Sequence, residues 1–200
     1  MKLLASFPLG SAFLLLHLLA LASCGSDREA RQALDPALEV RRADMAGLTR
    51  CYLVDRIYVC SKPDAEALEL AERRGVEVVI DLRDVIPDDP EAFDIARGVR
   101  DLGLRYEWIP FQSGLIEDEA VDQVMDQLTA EGRGQVLVFS ETGARGAMLL
   151  AIYRTSVMDV SIGRALEDAR RCGMKPGASE DQVRRQIVRR MSWPNGSARS

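Results

Sequence analysis

The feature that most constrains the fold is an apolar run, Val136-Leu137-Val138-Phe139, that leads directly into a glycine-containing loop and then a helix pattern. A strand that is apolar on both faces is typical of the buried centre of a parallel sheet. Strand patterns at residues 76–80 and 104–109 precede it, and helix patterns separate the three. Strands that alternate with helices predict an α/β fold whose mostly parallel central sheet is flanked by helices.

The helix patterns are segments in which apolar residues recur at a spacing of three or four. They lie at residues 63–74, 89–102, 117–131, 144–157, 161–171 and 179–191. Acidic residues open the third of these segments, where the helix dipole favours them. We expect one domain over residues 48–191 and a loose tail over residues 192–200.

Two short apolar segments at the start of this domain predict an N-terminal hairpin. They cover residues 51–54 and 57–60 and are separated by two residues. With a two-residue loop, Cys51 falls opposite Cys60, close enough for a cross-strand disulfide. A pair of small core cysteines is the alternative, and the sequence leaves both open. Cys172 would remain as an unpaired thiol.

The N-terminus has the pattern of an export signal. Lys2 precedes an apolar stretch that ends in Leu21-Ala22-Ser23-Cys24. This ending resembles the lipobox of bacterial lipoproteins, which implies a signal peptide over residues 1–23 and a lipid on Cys24. An ordinary secretory signal and an uncleaved anchor are the alternatives.

Residues 24–47 are rich in charged residues and alanine, and they predict a tether between the lipid and the domain. Gly25 follows Cys24 at the position where an aspartate would resemble an inner-membrane retention signal. The resemblance therefore favours export to the periplasmic side of the outer membrane. Several acyl chains on Cys24 would hold the protein to that membrane stably.

The chain contains a single histidine, His17, which lies in the predicted signal peptide. The mature protein would therefore lack Ser-His-Asp and Cys-His catalytic arrangements, as well as histidine-based zinc sites. We predict no metal and no other cofactor. The formal net charge is −5 and the two signs are interspersed, so we predict no nucleic-acid partner. The sequence identifies no protein partner.

The loop after the central strand is a predicted anion site. In open α/β sheets, ligands bind beyond the carboxyl ends of the strands. Backbone N–H groups in a tight loop, together with the N-terminus of the next helix, favour a phosphate-sized anion. Gly143 permits a close turn and Arg145 can offer a bidentate guanidinium. The predicted phosphate-binding residues are Ser140, Glu141, Thr142, Gly143, Ala144 and Arg145.

Residues 136–147 resemble the signature of the tyrosine and dual-specificity phosphatase-like superfamily, in particular the Cys-x-x-Gly-x-Arg loop of the beta-lactamase-hydrolase-like phosphatases. An upstream strand of that family is similar to the segment Gly75-Val76-Glu77-Val78-Val79-Ile80-Asp81-Leu82-Arg83. The family's opening hairpin resembles residues 56–63. The resemblance covers about residues 48–191. It implies a cysteine-phosphatase-like three-layer fold and a phosphate or phosphorylated ligand.

Two departures from the family pattern affect the predicted chemistry. Ser140 stands where the family has its nucleophilic cysteine, and Phe139 stands where many relatives have histidine. A helix N-terminus and nearby cations can stabilise a thiolate, whereas a serine hydroxyl has a far higher pKa and needs a base. Glu141 is the adjacent candidate base.

Other site residues are open to two interpretations. Relatives typically supply the general acid from a loop aspartate, and Asp118 is the candidate here, with Glu117 beside it. Acids at a helix start are also common caps. Asp81 and Arg83 either border the pocket or form a structural salt bridge. The predicted catalytic set is therefore Ser140, Arg145 and Asp118.

Three functional hypotheses follow. The first is a membrane-tethered pseudophosphatase that binds phosphate or a phosphorylated ligand with impaired catalysis. The second is an active phosphomonoester hydrolase that uses Ser140 or a water activated by Glu141 or Asp118. The third is a non-catalytic protein-interaction domain.

Overall fold

A computed structural model describes residues 39–86, 92–112, 116–130 and 134–192. All of them belong to one compact unit, Glu39–Ser200. The predicted signal peptide with Cys24, the tether up to residue 38, and residues 193–200 of the predicted tail lie outside the described residues.

The described strands are rich in β-branched and aromatic residues, which favour extended backbone. They are β1 (Arg41–Arg42), β2 (Cys51–Val54), β3 (Ile57–Cys60), β4 (Val76–Asp81), β5 (Arg105–Trp108) and β6 (Gln135–Phe139). They form one sheet in the order β1-β2-β3-β6-β4-β5. Neighbours from β3 to β5 are parallel, while β1, β2 and β3 pair antiparallel. The predicted α/β fold with a mostly parallel sheet is confirmed.

The N-terminal hairpin has the register that the sequence predicts. Val54 pairs with Ile57 and Cys51 pairs with Cys60 across β2 and β3. Asp55 turns the chain with φ of 53°, a left-handed conformation that aspartate tolerates. In the structure Cys51 and Cys60 form a disulfide, with 4.2 Å between their Cα atoms.

The helices of the described ranges cover both faces of the sheet. They are α1 (Ala65–Arg73), α2 (Ile95–Asp101), α3 (Asp118–Thr129), α4 (Ala144–Ser156), α5 (Ile162–Arg171) and α6 (Ala178–Ser192). Side chains of α1 and α2 share a core cluster with Tyr58, Leu137 and Phe139. The other face of the sheet, at Val59 and Val138, packs against α4. The contact is close, because a Cβ added to Gly146 of α4 would lie 2.9 Å from a Val59 methyl group. Successive strand residues point to opposite faces, which gives three layers.

Two predicted boundaries are wrong. Residues 39–47 belong to the fold rather than to the tether, because Val40 and Met45 are buried and β1 pairs with β2. The helix predicted from residue 89 begins at Ile95. Asp94 caps it, since its carboxylate accepts a hydrogen bond from the backbone N–H of Arg97 at 3.0 Å.

Helices in the described ranges are each too short or too polar to cross a membrane.

Candidate functional site

The site is built at one edge of the sheet, where four parallel strands end in register. Cys60 of β3 pairs with Phe139 of β6, Phe139 pairs with Asp81 of β4, and Asp81 pairs with Trp108 of β5. The segments that follow these residues therefore start side by side. This is the edge at which parallel α/β sheets bind ligands.

The loop from residue 140 to 145 joins β6 to α4 in a tight turn. The N–H of Ser140 donates to the carbonyl of Cys60 at 3.4 Å, and the N–H of Gly143 donates to the Ser140 carbonyl at 3.3 Å. Gly143 has φ of 82°, and a Cβ there would lie 3.2 Å from the Cys60 carbonyl group. This position thus requires glycine both for its backbone conformation and for space.

Neighbouring segments hold the outer side of the loop. The N–H of Lys62 donates to the Glu141 carbonyl at 3.4 Å, and the Lys62 ammonium lies 4.0 Å from the Glu141 carboxylate. The Arg50 guanidinium donates to the Thr142 carbonyl at 3.5 Å. The carboxylate of Glu141 is thus directed to an ion pair with Lys62, and Ser140 makes no hydrogen bond with it.

A cavity of about 520 Å³ opens between this loop, the end of β4 and the start of α6. Its lining residues are Arg83, Asp84, Val85, Ser140, Glu141, Thr142, Ala144, Arg145, Met148, Lys175 and Ser179. The first residues of α4 present backbone N–H groups that no carbonyl of the helix can reach. This positive helix end, together with the cationic side chains, favours an anionic ligand.

Ser140 lines the cavity but is only 2% exposed. No described group accepts a hydrogen bond from its hydroxyl or donates one to it. A buried hydroxyl without a partner is costly, and native structures generally satisfy such groups. The hydroxyl of Ser140 therefore has an unused hydrogen bond beside the cavity, and no described base is placed to deprotonate it.

Arg145 forms an ion pair with Asp84, which the sequence did not indicate as a site residue. Its guanidinium lies 2.9 Å from the Asp84 carboxylate and 3.3 Å from the Leu82 carbonyl. Desolvation opposes ionisation of Asp84, but the hydrogen bond and charge of Arg145 outweigh it and lower the pKa of Asp84. Asp84 is consequently an ionised competitor for Arg145, at the position where the sequence predicts phosphate binding.

Asp81 and Arg83 form a buried network beneath the cavity. Arg83 donates to the Asp81 carboxylate through Nη2 at 2.6 Å, and the hydroxyl of Tyr106 donates to the same carboxylate at 2.7 Å. The Asp81 hydrogen bond raises the pKa of Arg83, while burial and Asp81 raise the pKa of Tyr106. Arg83 also lies over the ring of Phe139, 5.4 Å from its centroid. Arg83 both borders the cavity and forms the structural salt bridge, so the two interpretations of the sequence are compatible.

Asp118 is not among the described residues that line the cavity. It begins α3, where its carboxylate accepts a hydrogen bond from Gln186 at 2.8 Å and contacts the Arg189 guanidinium. The Gln186 hydrogen bond, reinforced by Arg189, lowers the pKa of Asp118. The catalytic role predicted for Asp118 does not fit this position, because the carboxylate holds α3 to α6 and stays ionised.

Cys172 does not contribute a thiol to the cavity. It is the free cysteine of the described ranges, it is buried, and it does not line the cavity. Burial raises the pKa of its thiol to about 12, so it carries no thiolate near neutral pH. Within the same ranges, no group of three His, Cys, Asp or Glu side chains is gathered that could hold a metal ion.

Sequence reasoning missed Asp84, Lys175 and Ser179 as cavity residues. Asp84 could have been found, since it follows β4 at the same edge of the sheet as the loop. Lys175 and Ser179 lie about 30 residues beyond Arg145 in a segment without a motif. Only the packing of α6 beside α4 brings them to the cavity.

The three-layer sheet arrangement, with its strand–loop–helix at residues 135–156, is similar to the fold of solved phosphatase-like structures. Among solved structures, TpbA from P. aeruginosa has a TM-score of 0.61 and 21% identity, over 78% of this chain and 98% of that one. A Cys-to-Ser variant of TpbA in complex with pTyr has a TM-score of 0.54 and 24% identity, over 78% and 98%.

A eukaryotic protein has the same fold. The core catalytic domain of the PP-IP phosphatase SIW14 from S. cerevisiae, in complex with citrate, has a TM-score of 0.55 and 15% identity, over 68% of this chain and 86% of that one. At these identities the likeness shows the fold. No protein-family model matches the sequence, and neither does any curated protein.

Proposed function

We propose that this protein is a lipid-tethered pseudophosphatase, a phosphatase-like domain that binds phosphate or a phosphorylated ligand and does not hydrolyse it. One observation carries the proposal. Ser140 is buried at the cavity with a hydroxyl that has no hydrogen-bond partner among the described residues. Such a hydroxyl lacks the base that a serine nucleophile needs, and its unused hydrogen bond lies beside the cavity that would hold the ligand.

The described acids are held away from the hydroxyl of Ser140. Glu141 faces Lys62, Asp84 is paired with Arg145, and Asp118 is held by α6. A helix N-terminus and cations can shift a thiol pKa into the neutral range, but a hydroxyl starts far above it. The site therefore keeps its features for binding an anion without an activated nucleophile.

Phosphate binding requires Arg145 to leave the Asp84 carboxylate and pair with the phosphate. The Asp84 carboxylate is about half exposed, with 49% of its side-chain surface accessible. Exposed ion pairs contribute little to stability, whereas a guanidinium binds phosphate through two parallel charge-assisted hydrogen bonds. The exchange is thus favourable when the loop N–H groups also contact the ligand.

A neighbouring structure supports a phosphorylated ligand. TpbA, as a Cys-to-Ser variant, forms a complex with pTyr. That protein shares the fold of this chain, and its complex shows that a ligand with a phosphate group fits a domain of this kind. We extend this ligand chemistry, and not the identity of the ligand, to the cavity at Ser140.

Export and anchoring through Cys24 complete the proposal. The lipobox resemblance carries the anchoring, and the Cys51–Cys60 disulfide is consistent with an oxidising compartment such as the periplasm. The domain would then present its cavity at the membrane to which the lipid on Cys24 holds it.

Isothermal titration of the full-length protein in detergent with orthophosphate tests the binding. We expect saturable binding by the wild type and an affinity about 10- to 100-fold lower for Arg145→Ala, since charge-assisted hydrogen bonds are lost. Arg73→Ala is the matched control. Arg73 is an exposed cation that pairs with Glu69 within α1, whereas Arg145 is on α4. Wild-type protein that does not bind orthophosphate, or equal binding by Arg145→Ala, would overturn the proposed site.

A further inference from the structure

A cation outside the loop also lines the cavity. Lys175 lies on the connection between α5 and α6, and it borders the cavity together with Ser179 in the first turn of α6. We propose that Lys175 makes the cavity selective for phosphorylated ligands that carry a second anionic group. This inference rests on the proposed function, because the loop at residues 140–145 is taken to hold the first phosphate.

The ion pairs of the cavity single out Lys175. Of the three cations in the lining, Arg83 lies 2.6 Å from the carboxylate of Asp81, and Arg145 lies 2.9 Å from that of Asp84. Lys175 forms no ion pair within the part of the chain that the structure describes. It is thus the cavity cation whose charge no described carboxylate offsets.

The acid of α6 that follows Lys175 first in the sequence, Glu180, is already occupied. Glu180 accepts hydrogen bonds from Arg170 at 2.7 Å and from Arg184 at 2.9 Å. These two guanidinium groups lower the pKa of Glu180 to about 2, so the carboxylate stays ionised and bound to them. The structure thereby leaves the positive charge of Lys175 for a ligand.

The backbone at Lys175 is fixed, unlike that of many surface lysines. Met174, which precedes it, is 3% exposed, and its N–H donates to the carbonyl of Ala169 at 2.9 Å. Pro176 follows and restricts the chain on the other side. The side chain of Lys175 therefore starts from a defined point beside the cavity, and no backbone segment has to be ordered when it binds an anion.

The size of the cavity agrees with a ligand that is larger than one phosphate. Its volume of about 520 Å³ falls in the range of pockets that enclose drug-sized molecules. Asp84 and Glu141 also line it, and their charges repel every anionic group that enters. A second anionic group is therefore tolerated only where a cation compensates for this repulsion, and Lys175 provides that cation beyond the loop.

The test compares ligands that carry one and two phosphates. The full-length protein in detergent is titrated with n-butyl phosphate and with a series of diphosphates, from pyrophosphate to 1,6-hexanediol bisphosphate, so that several spacings are sampled. We expect at least one bisphosphate to bind the wild type more tightly than n-butyl phosphate. In Lys175→Ala this preference should fall about fivefold, the size of one partly exposed charge contact.

Arg185→Ala is the control, since Arg185 is an exposed cation of α6 that does not line the cavity. It removes the same charge and should keep the wild-type preference. If Lys175→Ala weakens the mono- and bisphosphates equally, or the wild type shows no preference at any spacing, the selectivity proposal is wrong while phosphate binding stands. If the wild type binds none of these compounds, the proposed function fails as well.

Discussion

Two arginine–aspartate pairs lie at the end of β4, three residues apart, and they differ in how firmly they are held. Asp81 accepts hydrogen bonds from the backbone N–H and side chain of Arg83 and from the hydroxyl of Tyr106. Its side chain is fully buried and that of Arg83 is 7% exposed. In contrast, Asp84 is 49% exposed and meets the guanidinium of Arg145 in one ion pair.

The difference separates a structural pair from an exchangeable one. Separation of a buried ion pair leaves an uncompensated charge in the interior. Because this is costly, the Asp81–Arg83 pair stays formed. The Asp84–Arg145 pair is weaker, because Asp84 is half-exposed and water screens its carboxylate, although only 16% of the Arg145 side chain is accessible. The guanidinium of Arg145 can therefore leave Asp84 for a ligand, while Arg83 stays in place beneath the cavity.

Breaking the buried pair should give the largest effect. Asp81→Asn keeps the shape of the side chain but leaves the Arg83 charge without its partner. We expect the free energy of unfolding to fall by about 3–5 kcal/mol, measured by denaturant titration. Asp84→Asn is the matched control three residues away, and it should leave this free energy nearly unchanged. Equal free energies of unfolding for the two variants would contradict the distinction between a structural and an exchangeable ion pair.

Neutralising the exposed partner should give a smaller effect on another quantity. Asp84→Asn removes the charge that competes with phosphate for Arg145 and that repels the ligand. We expect the affinity for orthophosphate to rise about two- to fivefold, measured by titration calorimetry. An unchanged or lower affinity would mean that Asp84 orients Arg145 for the ligand and does not compete with it.

Much of the fold could be predicted because the responsible signals are local. The alternation of strand and helix patterns, the apolar run before Phe139 and the two-residue spacing of the hairpin all lie in short segments. They predicted the parallel sheet and the pairing of Cys51 with Cys60. The boundary near Leu48 failed because the burial of Val40 depends on distant parts of the chain.

The candidate site was predicted only as far as its motif extends. Residues 140–145 line or support the cavity, because the strand–loop–helix pattern determines their place. Asp118 lies off the cavity, and the sequence around it does not reveal the Gln186 and Arg189 side chains that α6 brings to its carboxylate. The pairing of Arg145 with Asp84 likewise depends on tertiary contacts.

The turnover of p-nitrophenyl phosphate tests the central claim most directly. Nitrophenolate leaves without protonation, so a missing general acid does not mask an active nucleophile. We predict that the wild type and Ser140→Ala hydrolyse it at the same background rate, while Ser140→Cys, with a thiol that this loop can ionise, gains turnover. Wild-type hydrolysis that disappears in Ser140→Ala would contradict the account, because Ser140 would then be a working nucleophile.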